Sequence, residues 1–195
     1  MYFKNAVHSF FWGIITAGMS LVFQLAVISL TISSKSPTEI DNVFLGSLFF
    51  LIIYAFSEES FKYFIVTKKI IPISYGRGFL INSWLAGIGF ALLEVSILYQ
   101  KNIYEKIDFQ FIDLFETVPL HILTFGILGY FLAISEVGGL NLKVLSFNFF
   151  VHFIYNYSII YLDKYSFYIT SALVISLFLI NIYSFIIVNK KLASD

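Results

Sequence analysis

The sequence predicts an all-α fold: a polytopic helix bundle embedded in a lipid bilayer. Three observations predict it. Apolar residues fill 59% of the 195 positions and charged residues only 12%, about half the charged share of a soluble domain, and the mean hydropathy is +0.87. The apolar residues gather into stretches of roughly 20, the length that crosses a hydrocarbon core as a helix. The 24 Phe and 13 Tyr suit lipid-facing surfaces and interfacial belts. Six segments are long enough to cross, near 8–32, 43–67, 79–99, 118–135, 142–162 and 167–188. They are expected to form one integral domain over 1–195, with no internal repeat or low-complexity linker.

The first segment follows a single lysine, Lys4, and its apolar run from Ala6 to Ile32 exceeds a signal-peptide core, so it is expected to remain as an uncleaved span. Ser33 to Pro37 turns the chain. The second segment is as oily as the first except at Glu58, Glu59 and Lys62. Glu58 and Lys62 stand four apart with the acid first, the favourable order for an ion pair on one helical face. Glu59, rotated by about 100°, is expected to face elsewhere, towards Tyr63. Pro72 to Gly78 leads into the third segment, where Gly87 and Gly89 permit close helix approach and Glu94 is the only charge.

In the connection from Lys101 to Glu116, Ile107, Phe111, Leu114, Phe115 and Val118 recur at helical spacing among acids. This reads either as a short amphipathic helix in the outer interface or as an ordered loop. Pro119 is placed in the first turn of the fourth segment, followed by His121. The fifth segment sets His152 and Asn156 on one face. The sixth, uncharged from Ser166 to Val188, reads as scaffold.

Positive charge orients the bundle. With the N-terminus inside, the inner loops and ends hold Lys4, Lys68, Lys69, Arg77, Lys143, Lys190 and Lys191; the outer ones hold Lys35, Lys101, Lys106 and Lys164. Both termini are therefore expected in the cytoplasm, with the chain multi-pass in the cell (plasma or inner) membrane. A formal net charge of zero argues against a nucleic-acid partner, and the absence of cysteine excludes disulfides and thiolate metal sites.

An ionised side chain at bilayer depth costs roughly 2.5–3.5 kcal/mol on insertion scales. One Glu–Lys pair is accounted for as interhelical glue, and one histidine as a satisfied core residue. Glu58, Glu59, Lys62, Glu94, His121, His152 and Asn156, spread over the second to fifth segments, are better read as one shared site within a four-helix core. Counting along the helices at ~1.5 Å per residue places most of them near the middle and outer half of the bilayer. Glu58, about 12 Å from Val66, fits least well and calls for tilt or a deeper start to its helix.

Such a set suits peptide hydrolysis. A poorly solvated carboxylate can act as general base and then acid. Glu58 is the candidate base, with Glu94 or a histidine orienting the water, and His152 and Asn156 directing donors at the oxyanion. The same residues permit a second arrangement, a zinc site of His121, His152 and Glu94 with another Glu as base; no compact HExxH is present.

Glu58-Glu59-x-x-Lys62, Phe90-x-x-x-Glu94, the isolated His121 and His152-x-x-x-Asn156 resemble, in that order, the motifs of PrsW-type intramembrane proteases, relatives of the CAAX prenyl proteases and bacteriocin-processing membrane proteins. Glu94 stands where those relatives carry His, which favours the PrsW branch. The resemblance covers residues 58–156. It implies a membrane-embedded endopeptidase, metallo- or glutamate-type, with zinc as the candidate cofactor and a membrane protein or membrane-associated peptide as substrate; for PrsW itself this is an anti-sigma factor. Two other readings use the same residues: a proton-coupled transporter and a non-catalytic scaffold or immunity protein of the same fold.

Overall fold

A computed structural model describes residues 2–33, 47–105, 111–135 and 141–192. Among them the protein is almost entirely helical, with no strand. The long helices are α1 (Tyr2–Ser33), α2 (Leu48–Ile65), α3 (Gly78–Glu105), α4 (Phe111–Ile134), α5 (Leu142–Tyr161) and α6 (Ser166–Leu192). By length and composition, four stretches of the described residues qualify as membrane spans: Phe3–Thr31, Gly78–Gln100, Thr117–Ile134 and Asp163–Lys191. The sequence reading expects six crossings. α2 and α5 fall outside the four because α2 carries Glu58, Glu59 and Lys62, and because Asn148, His152 and Asn156 lower the hydropathy of α5.

The surface is the inverse of a soluble protein's. Phe11, Phe23, Phe56, Phe64, Phe150 and Phe178 are exposed, while Thr16, Ser20, Glu59, Lys62, His121 and Asn148 are buried. Apolar exposure on this scale fits a lipid-facing wall around polar contacts that hydrocarbon could not satisfy.

Neighbour pairings close the helices into a ring. α1 packs on α2 and α3, α3 on α4, α4 on α6, α6 on α5, and α5 on α2; α4 and α5 also touch across it. Small residues fix two of these seams. A Cβ on Gly13 would collide with the carbonyl oxygen of Ala86, and one on Gly89 with that of Phe10, so α1 and α3 meet backbone to backbone. A Cβ on Gly87 would strike the Cα of Ile122, so α3 lies against α4 beside His121.

Three local expectations change. Helical structure in the second segment continues past Ile65 through a π-helical turn, Val66–Ile70, and a 3-10 turn, Ile71–Ile73, that contains Pro72. The helical path therefore runs further beyond Glu58 than Val66. α3 continues to Glu105 and α4 begins at Phe111, so residues from Phe111 onward belong to α4 rather than to a separate interfacial helix or loop. Residues 106–110 lie outside the described set. Pro119 is therefore inside α4, not in its first turn.

The N-terminal part of α1 and the C-terminal part of α6 lie at one end of the bundle. Asn5 Nδ2 donates to the carbonyl of Ile73 at 2.6 Å, the Asn189 side chain lies beside Gly76, and the Lys69 ammonium sits 4.9 Å from the Trp12 ring centroid.

Candidate active site

The α2 residues converge with side chains from α3, α4 and α5. Glu59 and Lys62, three apart, are both fully buried and pair at 2.6 Å. The expected Glu58–Lys62 pair is not the one formed. Residues three and four apart are both neighbours on a helix, and the surrounding helices decide between them. Lys62 Nζ reaches Glu59 Oε1, His121 Nδ1 at 2.9 Å and Thr124 Oγ1 at 3.3 Å. An ammonium has three donors and no acceptor, so these partners take all three. Phe90 and Phe125 close over the charge, with ring centroids 4.8 and 5.7 Å from Nζ.

Glu59 Oε1 also meets His152 Nδ1 at 2.8 Å. Glu59 thus faces inwards, against the expectation that its rotation carries it elsewhere. Nε2 on the other side of the His152 ring lies 3.5 Å from Glu58 Oε2. The far nitrogen of His121, Nε2, contacts Glu94 Oε2. The two imidazoles approach edge to face, centroids 5.4 Å apart. The F-x-x-x-E spacing now has a physical reason. Phe90 covers His121 at 4.6 Å between centroids, and one turn later Glu94 meets the same ring.

Gln24 on α1 completes the contacts. Its Nε2 donates to Glu58 Oε1 at 3.0 Å and to Ser20 Oγ at 3.1 Å. Glu58 Oε2 is buried and, among the described residues, receives no hydrogen bond. The contacts therefore run unbroken from Gln24 through Glu58, His152, Glu59, Lys62 and His121 to Glu94. Three carboxylates against one ammonium leave two negative charges; His152, between Glu58 and Glu59, can hold one compensating proton, while His121 accepts from Lys62 and stays neutral.

A cleft with about 100 Å³ of water-accessible space opens onto this chain. Ala17, Ser20, Leu21 and Gln24 of α1 line it with Glu58, Phe90, Glu94, Ile97 and Leu98. A water needs roughly 10–15 Å³ of such space and two to four polar partners, so the cleft can hold several. It lies between α1, α2 and α3, not among the second to fifth segments alone.

Six of the seven expected site residues, Glu58, Glu59, Lys62, Glu94, His121 and His152, share this network. Asn156 does not. It is half-buried and, among the described residues, makes no hydrogen bond to the cluster. Asn148, one turn on the other side of His152, is fully buried and donates from Nδ2 to the Thr124 carbonyl at 2.9 Å. Sequence reasoning did not assign Gln24, Ser20, Thr124 or Asn148 to the site. A signal for the first two was present in Ser20-x-x-x-Gln24, polar residues one turn apart within an apolar span.

For a metal, Glu58, Glu94 and His121 offer ligand atoms within 4.8 Å of one another. His152, expected as a ligand, is not in this group. The donor chemistry does not fit zinc as arranged. Lys62 can only donate, so His121 Nδ1 accepts, and a neutral His121 carries its proton on Nε2. The nitrogen nearest Glu94 then has no free lone pair for a cation, and an ammonium stands on the other side of the ring.

Comparison with protein-family models, curated proteins and solved structures gives no match to this chain.

Proposed function

We propose that the protein is an intramembrane endopeptidase that hydrolyses a peptide bond in a membrane protein or membrane-associated peptide, with water activated by Glu58. One observation supports this reading above the others: acids and bases from α2, α3, α4 and α5 form one contact chain, and Glu58, with an Oε2 that receives no hydrogen bond among the described residues, lines the cleft beside it. The PrsW resemblance points the same way, and regulated cleavage of an anti-sigma factor is one form the activity would take.

In the proposed reaction Glu58 Oε2 takes a proton from a cleft water as the water oxygen bonds to the scissile carbonyl carbon. Gln24 holds the other oxygen of Glu58 and aims the carboxylate. His152 is fixed through Nδ1 by Glu59. With both ring nitrogens protonated, it directs Nε2–H to the oxyanion. Collapse of the intermediate breaks the C–N bond, and Glu58 returns its proton to the departing amine. Lys62 keeps Glu59 ionised and His121 oriented on Glu94. No step runs through a metal.

The proton-carrier reading draws on the same chain of contacts. Carriage across a membrane needs access from two sides, yet Glu58 and Glu94, towards opposite ends of the chain, line one cleft. The cavity on the α4–α5–α6 side, lined by Ile127, Phe131, Asn141, Lys143, Val144, Phe147 and Ile180, includes none of the site residues.

The test is proteolysis in liposomes containing a mixture of membrane-spanning peptides in water enriched in ¹⁸O. Wild-type protein is expected to release fragments carrying ¹⁸O in the new carboxyl group, with or without a zinc chelator. Glu58→Gln is expected to lower the rate at least about 100-fold, the lower range for a lost general base, at unchanged abundance. An active Glu58→Gln protein would remove Glu58 from the mechanism.

A further inference from the structure

We propose that the gap between α1 and α3 is the portal through which a membrane-embedded substrate segment reaches Glu58, and that the segment passes as an extended strand rather than as a helix. The chemistry rests on the peptidase reading; the route rests on how these two helices separate.

At Gly13 and Gly89 the helices touch backbone to backbone. At Gly18, further along α1, a Cβ would meet only the Leu93 side chain, at 3.9 Å. At Leu21 and Gln24, facing Ile97 and Leu98, contact gives way to the cleft. The helices form a wedge, closed at the glycine seam and open beside the acids. Its lip is apolar, Leu21, Ile97 and Leu98, as a surface continuous with lipid requires. Its floor is polar, Ser20, Gln24, Glu58 and Glu94.

Size selects the form of the guest. An α-helix with its side chains is about 10–12 Å across, and a single turn of it displaces far more than the cleft's water-accessible space of about 100 Å³. An extended strand is narrower, but its backbone groups lose their internal partners and lipid supplies none. The Ser20 hydroxyl and Gln24 carboxamide on α1 stand where such a strand would need them. Helix α1 is therefore a wall of the binding site, and preferred substrates carry helix-breaking residues beside the cut.

The chain contains no cysteine, so paired cysteines give a clean test. Leu21→Cys with Leu98→Cys, bridged by thiosulfonate cross-linkers of graded length, is assayed with the liposome peptide mixture. The shortest bridge is expected to reduce cleavage at least tenfold, with recovery on reduction; Phe147→Cys with Ile180→Cys, bridged on the far cavity, is expected to leave the rate unchanged. Full activity of the bridged Leu21/Leu98 protein, beside an inactive Glu58→Gln control, would overturn the portal while leaving the peptidase reading intact.

A second measurement compares peptides with a central Gly-Pro against uninterrupted Leu. At least a tenfold preference for Gly-Pro is expected, and equal rates would overturn the strand claim. If wild-type protein cleaves nothing, the peptidase reading fails, and a benzophenone side chain at position 98 tests the portal separately. Capture of the Gly-Pro peptide there, but not from position 180, supports the route; equal capture or none overturns it.

Discussion

At the residue scale, the buried Lys62–Glu59 pair holds the α2 charges within the cluster. Removing one member of a buried pair leaves an uncompensated charge and costs about 3–5 kcal/mol, whereas removing both is often close to neutral. Lys62→Met is therefore expected to lower the unfolding temperature and membrane abundance sharply. Glu59→Gln with Lys62→Met is expected to recover part of the loss, because Gln still accepts from His152 Nδ1. Thermal unfolding in detergent of the two single variants and the double variant measures the coupling.

The asparagines beside His152 give a second comparison. Asn148→Ala removes a buried bond to the Thr124 carbonyl and is expected to cost about 1–2 kcal/mol of stability. Asn156→Ala is expected to leave stability and cleavage close to wild type. Both asparagines lie one turn from His152 on the same helical stripe, so periodicity along α5 cannot rank them. The carbonyl that selects Asn148 belongs to α4. The same limit explains the choice of Glu59 over Glu58 as partner of Lys62: helical geometry permits either, and His152 and Gln24 from other helices settle it.

At the element scale, α1 makes contacts that charge-based reading passed over. Ionisable groups stand out in an oily sequence because their burial is costly, and six of the seven selected residues meet. A neutral carboxamide carries a weaker signal, so Gln24 remained unassigned although it touches the candidate base. The glycines of α1 and α3 were legible as sites of close approach, but the opening beyond them depends on the relative lean of two helices. Gly13→Leu would press a side chain into the Ala86 carbonyl. It is expected to cost about 1–3 kcal/mol, the range for overpacking, and to separate α1 from α3. Loss of a cysteine cross-link between Phe10→Cys and Gly89→Cys would not isolate this effect, because Gly89 is itself part of the seam. Lowered thermal stability of Gly13→Leu, with Gly18→Leu milder, reports it directly.

At the scale of the whole molecule, the helical class and segment order were legible because twenty-residue apolar runs leave a bilayer few alternatives. The number of crossings was less so, since the polar groups that build the site lower the hydropathy of α2 and α5. Contacts among Asn5, Ile73, Gly76 and Asn189 put the N-terminal part of α1, the α2–α3 connection and the C-terminal part of α6 at one end. Single cysteines replacing Lys4, Arg77 and Lys190 are therefore expected to react with a membrane-impermeant maleimide from the same side of sealed vesicles. Labelling of one from the opposite side would contradict the arrangement. The positive-charge pattern of the sequence carries the expectation that this end faces the cytoplasm.

The shared cleft of Glu58 and Glu94 also has an energetic consequence. Hydrolysis that takes a proton from a cleft water and hands it to the departing amine in the same cleft moves no net charge through the bilayer. Such a protein would work equally well in an energised and a depolarised cell, and its turnover would not short-circuit the ion gradient on which the rest of the membrane depends.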